Sequence, residues 1–230
     1  MPDHKYTYQK QALSYESLTN REDYHGNILQ ALMEITEPKG KDVVDTGSGT
    51  GRLSYMMAPL VKSIKAFDLS KSMIKVTEQK LKLTNFTNWF CGVADHRHLP
   101  VQDQSVNLVF SGWSVCYLAT WGDENWRTEV INAVQEFRRI LKPGGKIILL
   151  ESLGTGETRP NPPKKLVPYL QFLDELDFSR SWIRTDYQFT SIAERDNLIS
   201  FFFGEEMIQT ALPENPLIVP ECTGIWTLEI

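Results

Sequence analysis

The chain has 230 residues, with 24 basic against 29 acidic side chains for a net charge of −5, and is 41% hydrophobic and 23% charged. That length fits one domain of about 100–200 residues, and the globular composition excludes a disordered chain and leaves no need for disulfides or metals to hold a core. The acidic balance disfavours nucleic acid as a partner, and Cys91, Cys116 and Cys222 are too scattered for a disulfide framework or a thiolate zinc site.

The opening residues (MPDHKYTYQK) contain no apolar leader core, and no apolar run nears the roughly 18 residues of a membrane span. A cytoplasmic protein without membrane contact is the expectation. A polar arm bearing Tyr6, Tyr8, Tyr15, Arg21, Tyr24 and His25 leads into a helix over 26–35. Residues 41–46 (KDVVDT) read as a buried strand, and 52–61 as a helix with Leu53, Met56, Met57 and Leu60 on one face. A second strand follows at 63–68 (SIKAFD), and Ser70 can cap a helix over 71–83 that turns Met73, Ile74, Val76 and Leu81 inward. Residues 88–92 and 105–110 (SVNLVF) supply two more strands. A helix over 124–141 is stopped by Lys142-Pro143-Gly144-Gly145, and 146–151 (KIILLE) is the fifth strand. Pro160, Pro162, Pro163 and Pro168 disfavour regular structure between 154 and 168, which reads as a lid or crossover. Beyond it, 182–189 reads as a strand, 191–203 and 205–212 as helices, and 224–230 as a last strand.

Strands apolar on both faces and separated by helices imply a mainly parallel sheet covered by helices on both faces, an α/β fold. Ligands of such sheets bind outside the carboxyl ends of the strands. There the first strand runs into Asp45-Thr46-Gly47-Ser48-Gly49-Thr50-Gly51. Three glycines let the backbone turn sharply and a ligand lie against it, with helix-start amides facing its negative group. No Lys follows Gly51, which excludes a phosphate loop, and Arg52 falls where a nicotinamide fingerprint needs its third glycine.

The G-x-G-x-G spacing led by an acid resembles motif I of class I S-adenosylmethionine (SAM)-dependent methyltransferases, of the small-molecule, type 11-like kind. Asp68-Leu69-Ser70-Lys71-Ser72-Met73 is similar to the family's D-x-S-x-x-M, and Ala94-Asp95-His96-Arg97-His98-Leu99-Pro100 to the segment whose acid faces adenine. The fourth strand and Leu141-Lys142-Pro143-Gly144-Gly145 match further family features, so the resemblance covers about residues 40–152. Ser48 and Thr46 depart from the cysteine and small residue common at their places, without removing a glycine or an acid.

The resemblance implies SAM as cofactor, a Rossmann-like fold with an antiparallel last strand, and methyl transfer to a small-molecule acceptor. It places Gly47, Gly49 and Gly51 against the methionine part with Asp45 close by, Asp68 at ribose, Asp95 at adenine with Met73 nearby, and adds Ser48, Leu69, Ala94 and His96 to the cofactor set. Tyr24 in the arm and Ser111 at the end of the fourth strand join the cofactor set. His25, Trp113 and Tyr117 are candidates for the acceptor pocket. No catalytic residue and no metal is assigned. The acids also have structural readings, as helix caps or turn formers. A non-catalytic SAM or nucleoside binder, acting as a sensor or partner subunit, and a protein or RNA methyltransferase both stay open. The whole chain reads as one domain: a cover at 1–39, a cofactor core at 40–152, and a substrate cap with the last two strands at 153–230, acting as a monomer or homodimer.

Overall fold

Val43 and Val44 are enclosed on both sides, and the segment that carries them is an interior strand of a sheet buried between helices. The computed structural model describes residues 3–230. In chain order its elements are α1 (His4–Lys10), α2 (Ala12–Thr19), α3 (Asn27–Ile35), β1 (Asp42–Thr46), α4 (Arg52–Met57), β2 (Ser63–Asp68), α5 (Lys71–Lys82) and β3 (Trp89–Val93). There follow β4 (Val106–Gly112), α6 (Cys116–Thr120), α7 (Trp126–Ile140), β5 (Leu141–Thr155), α8 (Val167–Glu175), β6 (Ser179–Arg184) and β7 (Tyr187–Gln188). The chain closes with α9 (Ile192–Phe203), a 3-10 turn at Glu205–Thr210, β8 (Ile218–Val219) and β9 (Glu221–Glu229).

Seven strands form the main sheet in the order β3-β2-β1-β4-β5-β9-β6. The first five are parallel; β9 runs antiparallel to both neighbours, pairing Leu149 with Trp226 and Trp182 with Gly224. Strand order reverses between β1 and β4, and this switch point opens a crevice at the carboxyl ends of the strands. One helical layer packs Val134, Phe137 and Tyr169 on Leu149 and Trp226; the other packs Ile28, Leu32, Leu53 and Met57 on Phe110 and Ile148.

The polar arm is helical rather than irregular: α1 and α2 dock through aromatic side chains, with Tyr8 and Tyr15 packing edge to face at 5.2 Å. The strand expected at 146–151 begins five residues earlier, because Leu141 already pairs with Val106 and a register shift accommodates the intervening turn. It also runs on to Thr155, so the proline-rich stretch shrinks to the residues before α8. Pro168 lies in the first turn of α8, where a missing amide leaves no hydrogen bond unmade. The strand expected at 182–189 divides into β6 and β7, and 205–212 takes a short 3-10 form in place of an α-helix. No helix among the described residues is long and apolar enough to cross a membrane.

Candidate functional site

Asp45 is buried at the end of β1, where Ser54 Oγ donates to Oδ2 at 2.6 Å while Oδ1 has no partner. Burial raises its carboxyl to about 6. The chain then turns through Gly47 at φ +67°, a conformation that disfavours a side chain. A Cβ there would lie 1.9 Å from Ser114 Oγ, so the loop leaving β1 presses against the segment leaving β4. Gly51, at φ +81°, caps α4 and would strike Thr77 if it carried a side chain.

Asp68 ends β2 and accepts from the amides of Gly49 at 2.8 Å and Ser70 at 2.7 Å. One carboxylate thereby fixes the glycine loop to the start of α5. Burial pushes its pKa up, against the pull of those two amides. Ser70 and Ser72 in turn donate to the Tyr8 carbonyl at 2.7 Å each, which seats the arm on the same corner.

Beyond β3, Arg97 grips Asp95 through Nε at 2.8 Å and Nη2 at 2.6 Å and also pairs with Glu129. The guanidinium holds the Asp95 carboxyl down at about 2. His96 Nδ1 lies 2.8 Å from Thr46 Oγ1 and Nε2 lies 2.9 Å from Ser114 Oγ, so the ring ties the ends of β1 and β4 together. Burial lowers its pKa to about 4, which keeps the ring neutral at pH 7.

These groups enclose a cavity of about 380 Å³ at the switch point. Gly47, Gly49, Asp68, Leu69, Met73, Ala94, Asp95 and His96 line it, as do Trp113 and Tyr117. Asp45 and Ser48 border a smaller chamber of about 30 Å³ that shares Gly47, Gly49 and Trp113 with the larger one. Other expected residues are not brought there. Gly51 stands behind the loop as a helix cap, and Ser111 is buried in β4 one position before Gly112 reaches the cavity. Tyr24 and His25 pack on each other with ring centres 3.9 Å apart, on neither chamber wall.

Several wall residues lay outside the expected cofactor and acceptor sets, although Tyr8 and Tyr15 were named in the covering arm. Tyr8, Tyr15, Ser114 and Trp121 all line the cavity. Tyr8 and Tyr15 belong to separate helices, α1 and α2, broken at Gln11, so no single helical spacing marked them as sharing a face. Trp113 adopts φ +50°, rare for a bulky residue, and its ring lies 4.1 Å beneath the Arg52 guanidinium. Arg52 pairs at 2.6 Å with Glu22.

Residues 44–149 match the methyltransferase-domain family. The chain is 31% identical over 149 residues to the malonyl-[acyl-carrier protein] O-methyltransferase of Yersinia pestis, covering 65% of this chain and 49% of that protein. It is 29% identical to the phosphoethanolamine N-methyltransferase of Triticum aestivum, covering 58% of this chain and 26% of that one. The chain therefore spans half or less of the length of these relatives. A SAM-dependent methyltransferase from Aquifex aeolicus shares the fold with a TM-score of 0.58 at 14% identity, over 88% of this chain and 89% of the other.

Proposed function

We propose that the chain, whose residues 44–149 match the methyltransferase-domain family, is a class I SAM-dependent methyltransferase that transfers the cofactor's methyl group to a small-molecule acceptor. The observation that carries this reading is the single cavity whose wall joins the glycine loop, Asp68 and the Asp95–His96 segment beneath a docked arm. Its residues fit the cofactor. Gly47 and Gly49 line the cavity, and the buried Asp45 Oδ1 and the Ser48 Oγ beside the small chamber have no partner in the protein. They suit the polar amino-acid end of the molecule, the half-buried Asp68 its ribose, and Leu69 and Asp95 its adenine.

The cofactor supplies a methyl group already activated by a sulfonium. The protein's part is then to align the acceptor and exclude water, which can account for several kcal/mol of barrier. Tyr8 and Tyr15 from the arm, with Tyr117 and Trp121, shield the cavity. The arm and the residues beyond 153 hold acceptor specificity. A cytoplasmic monomer or homodimer, without nucleic-acid or membrane partners, completes the proposal.

Calorimetric titration with SAM and its demethylated product, S-adenosylhomocysteine (SAH), tests it. Both should bind the wild-type chain, and Asp68→Ala should weaken them at least about tenfold, the loss of roughly one or two charge-assisted hydrogen bonds. Unchanged affinity would refute the assignment. Saturable binding without transfer of labelled methyl to any metabolite in a panel would identify a binder instead of an enzyme.

A further inference from the structure

The small chamber beside the glycine loop holds more than the acid and the hydroxyl described above. Tyr15 and Thr19 of α2, Arg52 of α4 and Trp113 after β4 also form its wall. Three buried side-chain atoms of wall residues have no hydrogen-bond partner: Asp45 Oδ1, Ser48 Oγ and Arg52 Nη1. The first accepts, the last donates, and the hydroxyl does either. A negatively charged acceptor and a positively charged donor, both unmatched around a space of about 30 Å³, describe a ligand group that carries both complements.

Arg52 is held at this wall from two sides. Glu22 Oε2 lies 2.6 Å from Nη1 and balances its charge, yet Nη1 makes no aligned hydrogen bond. The Trp113 ring, 4.1 Å away, covers a face of the guanidinium. Both supports are themselves anchored. Glu22 forms a backbone bridge with Tyr187, and the next amide, that of Asp23, donates to the Asp186 carbonyl at 2.9 Å. The Trp113 amide donates to the Leu150 carbonyl at 2.6 Å. The guanidinium is thus fixed in place with a donor to spare, and its planar fork can hold one carboxylate on each of two edges. Glu22 uses one edge only.

The tail of the methyl donor decides what these groups can meet. An intact α-amino acid brings an ammonium and a carboxylate. A donor that has lost the carboxylate brings the ammonium alone, which suits Asp45 but leaves Arg52 Nη1 unmatched beside a second positive charge. Resting on the methyltransferase reading, we infer that Arg52 is the specificity residue that reads the cofactor's α-carboxylate, with Asp45 taking the ammonium and Glu22 and Trp113 serving as positioning residues for the guanidinium. The chamber thereby selects the intact cofactor and rejects its decarboxylated form. Trp113 also lines the larger cavity, so the residue that steadies the carboxylate reader is at the same time part of the wall around the rest of the cofactor.

The test compares two ligands that differ by one group: SAH and its decarboxylated analogue, S-adenosyl-3-thiopropylamine. Calorimetry on the full wild-type chain should find SAH the tighter by at least about tenfold, the scale of one charge-assisted contact. Arg52→Met keeps a long apolar side chain against Trp113 and should abolish that preference, bringing SAH to within about threefold of the analogue without weakening the analogue itself. Glu22→Gln, which leaves Arg52 in place but loosens its support, should lower the preference part of the way. Arg52→Met leaves the buried Glu22 charge uncompensated, so the double variant Arg52→Met/Glu22→Gln carries the comparison if the single one does not fold, as thermal unfolding reports. Three results would overturn the inference: a wild type that binds the analogue as tightly as SAH or more so, a folded Arg52→Met protein that loses both ligands in the same proportion, or one that keeps the wild-type preference. A wild type that binds neither ligand would overturn the methyltransferase reading instead.

Discussion

Tyr8 and Tyr117 meet hydroxyl to hydroxyl at 2.5 Å across 109 positions of sequence, joining the arm to the segment that leaves β4. The contact stands over the cofactor cavity, with Tyr15 and Phe202 packed against Tyr8 from other sides. His4 adds a ring nitrogen 2.9 Å from the Phe202 carbonyl. The arm is thus held at three points, on α5, after β4 and on α9.

Tyr117→Phe removes one of these points without changing ring packing. The arm should loosen by about 1 kcal/mol, the net worth of one partly buried hydrogen bond. Stopped-flow release of SAH should then be several-fold faster, and limited proteolysis should cut the first 26 residues sooner. An unchanged release rate would mean that the arm does not govern cofactor exchange.

Gly47→Ala introduces a Cβ at 1.9 Å from Ser114 Oγ and 2.7 Å from His96 Cε1, on a backbone at φ +67°. The clash and the strained backbone together should cost about 2–3 kcal/mol, visible as a lower midpoint in urea unfolding. SAH affinity should fall with it, since the cavity wall must move. Unfolding at the wild-type midpoint with intact SAH binding would contradict this geometry.

Glu151 is fully buried, and its Oε1 accepts from Tyr169 Oη at 2.8 Å and from the Cys116 amide at 3.2 Å. Burial raises its pKa from 4.5 to about 7. The folded state therefore binds more protons than the unfolded state between those values, so this group's contribution is present below pH 4.5 and is lost as pH rises through about 7. At one pKa unit per 1.36 kcal/mol the loss is about 3 kcal/mol. Glu151→Gln, neutral at every pH, should gain in melting temperature relative to wild type between pH 5 and 8. A difference that does not vary with pH would refute the raised pKa.

Arg97→Ala should release the Asp95 carboxyl from about 2 towards the ordinary carboxylate range, because the guanidinium is the main cause of the depression. Both side chains are partly exposed, so the stability cost should stay below about 1 kcal/mol. The readout is the Asp95 carboxyl titration by NMR; a value still near 2 would show that the Arg97 amide suffices.

The inner parallel strands were legible because each carries a short apolar run enclosed by the sheet and its helices, while the edge strand β3, with Phe90 and Val93 exposed, was legible from its apolar residues alone. Asp45, Asp68 and Asp95 were legible because an acid at or just past a strand end breaks that pattern. The arm was not. Leu13 is exposed and no apolar stripe runs along α2, so its helices are held by aromatic contacts to residues far away in the chain. Tyr24 and His25 drew notice by residue type, yet Tyr8 and Tyr15 line the cavity, a difference set by where α1 and α2 dock. Arg52 counted in the sequence only as the residue that spoils a nicotinamide fingerprint. Its pairing with Glu22 and its seat on Trp113 depend on a left-handed backbone at residue 113 that nothing local demands.

The position of β9 bears on how the molecule is made. Residues 221–229 lie between β5 and β6, which have no other means of joining the same sheet. During synthesis β1 to β5 can assemble as they emerge, while β6 must wait, unpaired, for some forty further residues to leave the ribosome. Until then the outer flank of β5 is an open edge, and Trp226 is missing from the layer formed by α7 and α8. The slow, non-local step of folding is accordingly the insertion of one strand between two others, and nascent chains halted before residue 221 expose the surface most prone to aggregate.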